Sequence, residues 1–313
     1  MLSRDRPVDP LTDNPPVHLL NADLHSHSNV SDGTLTPEAL AQRAFDGGVE
    51  LWAMTDHDEI SGQRLARDAA LALGMSYLTG TEISVSFAGE TVHIVGLGFD
   101  LDDADLNAGL ATTRAGRLER AKEMAAGLAK VGIGGAFEGA LKYVSNPELI
   151  SRTHFARYLV QAGYCNHTYE VFQRYLTTGK PGYVPHHWAA LGDAVRWIKQ
   201  AGGVAVIAHP ARYRFTPNED FALFTEFIGH GGLAVEVMTG SHSPAEQVRY
   251  ADTALEFNLA ASRGSDFHSP TESRTALGSL PDLPGKLTPV WTLLTDRIQH
   301  PAQGNRSSSG TAA

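Results

Sequence analysis

Residues 22 to 27 read Ala22-Asp23-Leu24-His25-Ser26-His27 and complete a short apolar run that begins at Leu19. Because side chains alternate between the two faces of a β-strand, the two histidines point the same way if this run is a strand. Such a pair can bind one metal ion through its imidazole nitrogens. Val30-Ser31-Asp32-Gly33 follows and adds a carboxylate. The stretch predicts a strand that presents metal ligands at its carboxyl end.

Three further apolar runs end in residues of the same kind. The runs 49–54, 204–208 and 259–262 lead to Thr55-Asp56-His57, to His209-Pro210 and to Ser265-Asp266-Phe267-His268. Residues just past the carboxyl ends of parallel strands converge on one rim of an α/β barrel or sheet, where such folds place their active sites. The repetition predicts an α/β fold whose ligand-type residues meet at that rim.

The segment after His57 contributes two more candidates. A predicted helix over 65–73 stops at Gly74, and the next run leads to Gly80-Thr81-Glu82, which places Glu82 at the same rim. Runs 83–87 and 91–97 flank Ala88-Gly89 and predict a β-hairpin. We expect this hairpin to bring His93 close to Glu82.

The alternation of strands and helices stops between residues 100 and 185, where helix formers and glycines dominate. We predict a helical subdomain inserted into the barrel and covering its rim. The predicted division is a disordered leader over 1–16, a barrel over 17–99 and 186–298, the insertion over 100–185, and a disordered tail over 299–313. The run 290–294 is expected to close the barrel.

Amino-acid composition limits the classes of protein to which this chain can belong. The 313 residues are 42% hydrophobic and 19% charged, as in a globular protein that buries a large core, and the formal net charge is −10. This charge disfavours a broad basic surface for duplex DNA. The single cysteine, Cys165, excludes an internal disulfide. No run is long enough to span a membrane, and residues 1–7 lack a signal-peptide core, so we expect a cytoplasmic protein without membrane partners.

Nine candidate metal ligands share this predicted location: His25, His27, Asp32, His57, Glu82, His93, His209, Asp266 and His268. Six histidines and three carboxylates are too many for one tetrahedral zinc site. They suit two or three manganese, zinc or iron ions that share bridging carboxylates. Clustered divalent ions are typical of phosphoester hydrolysis. The chain has no Gly-x-Ser-x-Gly, Walker or Gly-x-Gly-x-x-Gly motif to favour other chemistry.

Five ordered motifs resemble those of the polymerase and histidinol phosphatase (PHP) family of metal-dependent phosphoesterases. They are Asp23-Leu24-His25-Ser26-His27, Thr55-Asp56-His57, Gly80-Thr81-Glu82, Ala208-His209-Pro210 and Ser265-Asp266-Phe267-His268. The resemblance extends over residues 17–294 and implies a distorted (β/α)7 barrel with a trinuclear site. All nine ligand positions of the family are filled, and Glu82, Asp266 and His209 are the predicted catalytic residues.

Two segments of the insertion are similar to one bacterial subgroup of this family, which acts on 3',5'-nucleoside bisphosphates and degrades RNA from its 5' end. They are Ser151-Arg152-Thr153-His154-Phe155-Ala156-Arg157 and Gly179-Lys180-Pro181-Gly182-Tyr183-Val184-Pro185. The resemblance implies that a metal-bound hydroxide cleaves the 3' phosphoester of a 5'-phosphorylated nucleotide or short single-stranded RNA. It also implies that Arg152, His154 and Lys180 contact substrate phosphate, ordinary helix-surface charge being the alternative.

Two other functions stay open on the sequence. The same metal core could serve a histidinol-phosphate phosphatase or another small-molecule phosphatase, which a panel of substrates would distinguish. A non-catalytic metal-binding module is the second alternative. The filled ligand set argues against it, because buried polar groups are costly to keep without a purpose.

Overall fold

The computed structural model describes residues 19–302. The predicted leader over 1–16 lies outside this range, as do residues 303–313 of the predicted tail. Gln299 exchanges two backbone hydrogen bonds of 2.9 Å with Tyr77, so contacts with the barrel continue past the predicted boundary at residue 298.

Short strands and helices alternate along most of the described chain. The strands are β1 (Ala22–Asp23), β2 (Leu51–Trp52), β3 (Ser76–Tyr77), β4 (Gly80–Phe87), β5 (Glu90–Leu97), β6 (Ala189–Ala190), β7 (Val204–Ile207), β8 (Ala234–Thr239) and β9 (Ala260–Gly264). The α-helices are α1 (Pro37–Asp46), α2 (Gln63–Ala72), α3 (Ala104–Arg114), α4 (Arg117–Ala129), α5 (Ala136–Leu141), α6 (Arg152–Gln161), α7 (Thr168–Val171), α8 (Leu191–Gln200), α9 (Pro217–Gly229) and α10 (Pro244–Glu256). Between residues 19 and 302, no helix has the length and apolar character needed to cross a membrane.

The strands form two adjoining sheets. One sheet has the order β1-β2-β3 and the other β6-β4-β5-β7-β8-β9, in which β5 is antiparallel to both β4 and β7. Bridges between Ser26 and Phe267 and between His57 and Glu82 connect the sheets. The strands therefore wrap into a distorted barrel, which confirms the predicted fold class.

Local sequence signals account for several helix boundaries. Thr36 caps α1, since its hydroxyl accepts a hydrogen bond from the Ala39 amide at 3.3 Å and Pro37 occupies the first helical position. Ser243 and Glu246 form a reciprocal capping box at the start of α10. The β4–β5 hairpin lies where the sequence predicts it.

The residues that follow Pro289 differ from the prediction. Val290–Leu293 forms a 3-10 helix rather than the expected closing strand. Proline has no amide hydrogen to continue a ladder, and the bridge between Ala261 and Pro289 goes no further. The barrel closes instead where β9 meets β1, with the Leu24 amide donating to the Arg263 carbonyl at 2.9 Å.

The inserted helices have a separate core. Residues of α4 to α7, including Met124, Leu128, Phe155 and Leu159, pack together away from the barrel core. Helix α3 falls within the predicted insertion, yet its Leu106 and Leu110 belong to the barrel core. The separate core therefore includes residues of α4 to α7 but none of α3.

Candidate metal centre

Glu82 lies at the start of β4, and its buried carboxylate is the focus of the site. Its Oε1 atom lies 2.8 Å from His93 Nδ1 and 2.9 Å from His209 Nε2. Its Oε2 atom lies 3.0 Å from His57 Nδ1 and 3.3 Å from both His25 Nε2 and His27 Nε2. Five predicted ligands thus surround one carboxylate: His25 and His27 follow β1, His57 follows β2, His93 lies within β5 and His209 follows β7. The predicted proximity of His93 to Glu82 is present in the structure.

Asp266 faces the same histidine pair. Its Oδ1 lies 3.3 Å from His27 Nε2 and 3.5 Å from His25 Nε2, while Arg212 Nη1 donates to its Oδ2 at 2.7 Å. The backbone φ angles of Asp266 and His209 are 55° and 28°, in the left-handed region that L residues rarely adopt. Strained backbone of this kind often occurs at functional sites, and here it occurs at two candidate ligands.

Asp32 and His268 form a third side of the site. Asp32 Oδ1 lies 3.4 Å from His268 Nε2 and 3.8 Å from His57 Nε2, and Ser151 of the inserted unit donates to Asp32 Oδ2 at 3.3 Å. Ligand atoms fall into four overlapping groups: His27, Asp32, His57 and His268; His25, Glu82 and His209; His25, His27 and Asp266; and His57, Glu82 and His93. All nine predicted ligands are therefore brought together.

Two glycines allow the ligand-bearing segments to approach one another. A Cβ atom on Gly264 would lie 2.3 Å from the Cβ atom of His25, and one on Gly33 would lie 2.1 Å from the His27 carbonyl oxygen. Neither distance is possible for a larger residue without displacing backbone. Glycine at these positions lets β9 and the Asp32 loop pack directly against the histidine pair.

The donor set fits a cluster of cations. Six polar atoms of the group are buried without a partner in hydrogen-bonding geometry among the described residues: His27 Nδ1, Asp32 Oδ1, His57 Nδ1, Glu82 Oε2, His93 Nδ1 and His209 Nδ1. Each such atom costs about 1–3 kcal/mol when nothing satisfies it. Imidazole nitrogens and carboxylate oxygens together suit manganese, zinc or iron. Divalent cations would compensate the cost that these groups carry.

The electrostatics of the site match this donor chemistry. Burial alone would raise the pKa of Glu82, but His93, His57 and His25 hold that pKa well below its usual value. Burial, assisted by Arg212, lowers the pKa of His209 to about 4. Burial opposes a raised pKa at His27, yet hydrogen bonds with Asp266 and Glu82 raise it to about 10. A cation bound there would compete with this proton.

Glu236 contacts two of the candidate ligands and was missed by the sequence analysis. It lies on β8 with its side chain 1% exposed, and its Oε1 is 2.6 Å from His25 Nδ1. Its Oε2 accepts a hydrogen bond of 2.6 Å from the His209 amide. The carboxylate thereby orients one candidate ligand and fixes the backbone of another. The available signal was a lone acid within the apolar strand Ala234-Val235-Glu236-Val237.

Arginines line the cleft above the centre. They are Arg117, Arg120, Arg152 and Arg212, of which only Arg152 was predicted. Arg117 pairs with Asp58, and the guanidinium carbons of Arg117 and Arg120 lie 4.6 and 5.3 Å from the centre of the Trp188 ring. Within residues 19–302, no carboxylate lies within ion-pair distance of Arg120 or Arg152. Guanidinium groups that have no carboxylate partner are suited to binding phosphate.

The other two predicted substrate residues lie elsewhere. His154 is fully buried in the first turn of α6, where its Nδ1 accepts a hydrogen bond of 3.0 Å from the Ser151 amide. Lys180 is exposed in a turn and is absent from the lining of the clefts that meet at the centre. The assignments of His154 and Lys180 to substrate phosphate stay predictions. The capping hydrogen bond holds the His154 ring against the start of α6.

Comparison with known proteins identifies a matching family and several similar proteins. The model of the PHP domain matches residues 23–239. A 3',5'-nucleoside bisphosphate phosphatase from Chromobacterium violaceum is 49% identical over 284 residues, which cover 91% of this chain and all of the relative. A 5'-3' exoribonuclease from Haemophilus influenzae is 40% identical over 269 residues, covering 86% of this chain and 97% of the relative.

A solved structure is similar over nearly the whole described chain. It is described as an amidohydrolase from Chromobacterium violaceum with bound sulfate and no metal, and it is 49% identical in sequence. The match covers 90% of this chain and 99% of that structure, with a TM-score of 0.88. The similarity therefore includes both the barrel and the inserted helices.

Proposed function

The chain belongs to the PHP family of metal-dependent phosphoesterases, and we propose that it hydrolyses the 3' phosphoester of 5'-phosphorylated nucleotides. The substrates are 3',5'-nucleoside bisphosphates and short single-stranded RNA that carries a 5'-phosphate. One observation carries the proposal: a cluster of nine metal-ligand side chains lies beneath a cleft lined by four arginines. The first feature suits phosphoester hydrolysis, and the second suits a substrate with an additional phosphate.

We propose two or three divalent ions at the centre, with manganese preferred over zinc, iron and magnesium. The residues that would hold them are His25, His27, Asp32, His57, Glu82, His93, His209, Asp266 and His268. Clustered divalent ions stabilise charge that develops on a transferred phosphoryl group and lower the pKa of water.

The protein's own groups keep this arrangement in place. Glu82 lies between five imidazoles and holds their spacing. The Arg212 guanidinium anchors one oxygen of Asp266 and leaves the other facing the histidine pair. The low pKa of His209 keeps that imidazole neutral, so its Nε2 can bind a cation. Glu82, Asp266 and His209 are therefore the residues to which we assign catalysis.

The arginine cluster supplies recognition. We assign Arg117, Arg120 and Arg152 to the 5'-phosphate, because all three line the cleft beside the ligand group. Trp188 packs against the first two and its indole nitrogen donates to Thr91 at 3.1 Å, which fixes the aromatic surface under the guanidinium groups. A substrate clamped by its 5'-phosphate presents its 3' phosphoester to the centre. Hydrolysis then releases a nucleoside 5'-monophosphate.

Replacing Arg152 with alanine tests this assignment. Loss of a charge-assisted contact should lower kcat/KM for adenosine 3',5'-bisphosphate by roughly 10- to 100-fold. Hydrolysis of p-nitrophenyl phosphate, which has no second phosphate, should change by less than about twofold. Arg174→Ala is the matched control, since this arginine is on the inserted unit but pairs with Glu170 at 3.0 Å outside the cleft. Equal losses on both substrates would show that Arg152 has a structural role instead.

The remaining alternatives are less well supported by the site. Histidinol phosphate carries a cationic amine, which four arginines around the cleft would repel. A non-catalytic module would not require the complete ligand group. We also propose a cytoplasmic location, which the single cysteine supports, and no duplex DNA partner, which the net charge of −10 supports.

A further inference from the structure

Three clefts meet at the metal centre, and Phe172 and Arg212 lie at the border of all three. The first contains the arginine cluster. The third, which we call the Tyr169 cleft, runs from the candidate ligands Asp266 and His268 to the segment 272–275 and to α7. The ligand group is therefore open to a groove other than the one that holds Arg117, Arg120 and Arg152.

The Tyr169 cleft is distinct from the site assigned to the 5'-phosphate, although Thr153, Phe172 and Arg212 line both clefts. Its lining includes two candidate ligands but not Arg117, Arg120 or Arg152. In a polynucleotide, the 5'-phosphate and the next nucleotide are attached to opposite ends of the first ribose. A substrate with its 5'-phosphate at the arginines and its 3' phosphoester at the centre would continue into a groove of this kind.

The cleft presents an aromatic ring and a cation. Tyr169 is 58% exposed, and its hydroxyl accepts a hydrogen bond of 2.7 Å from the Gln173 amide, which fixes the ring. The guanidinium carbon of Arg274 lies 5.9 Å from the centre of that ring. No carboxylate of residues 19–302 lies within ion-pair distance of Arg274.

The acidic side chains of the cleft are already paired. Glu272 binds Arg157 of α6 through a two-pronged contact, with Nη2 to Oε2 at 2.7 Å and Nε to Oε1 at 3.0 Å. Asp266 binds Arg212 at 2.7 Å. These pairs neutralise the carboxylates that would otherwise repel a phosphate, and they leave Arg274 as the unpaired cation. An exposed aromatic ring beside a cation is typical of sites that bind single-stranded nucleic acid.

We propose that the Tyr169 cleft binds the nucleotide on the 3' side of the scissile phosphate of an RNA substrate. Tyr169 stacks on the base of that nucleotide, and Arg274 contacts the phosphate that follows it. The inference rests on the proposed function and extends it. A 3',5'-bisphosphate ends at the scissile phosphate and leaves this cleft unused, so the cleft serves polymeric substrates specifically.

The test compares two substrates across matched variants. Initial rates are measured with a 5'-phosphorylated tetraribonucleotide and with adenosine 3',5'-bisphosphate, for the wild type, Tyr169→Ala and Tyr169→Phe. In Tyr169→Ala the ratio of kcat/KM for RNA to that for the bisphosphate should fall about tenfold, through KM, because one base loses its stacking partner. Tyr169→Phe keeps the ring and should retain most of the wild-type ratio. Arg274→Ala should lower the ratio, and Arg274→Lys should restore part of it.

The outcomes separate the two proposals. An unchanged ratio in Tyr169→Ala, or a loss of similar size on both substrates, would overturn the assignment of the cleft while leaving bisphosphate hydrolysis intact as the proposed function. Failure of the wild type to hydrolyse either substrate would remove both proposals. Because Tyr169 is exposed, the melting temperature of each variant should match that of the wild type, which verifies that folding is preserved.

Discussion

Glu82→Ala is expected to remove bound metal and to lower kcat/KM for adenosine 3',5'-bisphosphate by at least about 10³-fold. The Glu82 carboxylate contacts imidazole nitrogens of five histidines within 3.3 Å, so its loss leaves the ligands without their common partner. The measurement is elemental analysis after manganese loading, together with initial rates. The wild type should bind more than one manganese ion per chain.

Two further variants distinguish metal loss from misfolding. Glu82→Gln preserves the volume and one carbonyl oxygen but removes the charge, so it should also lose metal and activity while retaining its circular dichroism spectrum. Glu246→Ala removes a carboxylate from the α10 capping box, outside the cleft, and should keep both metal and activity. Normal turnover and metal content in Glu82→Ala would contradict the role assigned to this carboxylate.

The second large effect concerns the 5' group of RNA. A 5'-hydroxyl oligoribonucleotide should be hydrolysed roughly 10- to 100-fold more slowly than its 5'-phosphorylated form, because Arg117, Arg120 and Arg152 lose their anionic partner. The 5'-phosphorylated strand should be shortened from its 5' end, one nucleoside 5'-monophosphate at a time. Each product strand then carries the 5'-phosphate needed for the next cycle.

An RNA labelled at its 3' end reveals the direction in which the enzyme degrades it. Labelled fragments should decrease in length stepwise over time, and the shortest should appear last. Early release of a labelled 3' mononucleotide would indicate attack from the other end. Equal rates with 5'-phosphorylated and 5'-hydroxyl RNA would show that the arginine cluster does not recognise the 5' group.

Periodicity and turn chemistry predicted the barrel well, because both act over a few residues. Strand ends at His57, His209 and Asp266 were identified from apolar runs, and Ala88-Gly89 marked the hairpin. The chain end was harder to predict. Residues 290–293 are as apolar as a strand, but Pro289 cannot donate to the ladder, and the segment packs as a 3-10 helix.

The ligand group was predictable for the same reason, since strand order alone brings strand-end residues to one rim. Residues whose role depends on long-range packing could not be predicted from the sequence. Glu236 becomes functional only because β8 lies where His25 and His209 can meet its two oxygens. Arg117 and Arg120 reach the cleft because the start of α4 lies beside the barrel rim, where Arg117 pairs with Asp58 and both guanidinium groups lie against Trp188. His154 turns inward because the start of α6 needs a cap.

The products formed from adenosine 3',5'-bisphosphate in the presence of manganese provide the most direct test of the proposed function. Chromatography separates adenosine 5'-monophosphate from adenosine 3'-monophosphate, and inorganic phosphate is measured in parallel. We expect adenosine 5'-monophosphate and phosphate in equal amounts, with no reaction after chelation of the metal. Formation of adenosine 3'-monophosphate, or the absence of phosphate release with manganese present, would contradict a metal-dependent enzyme that cleaves on the 3' side.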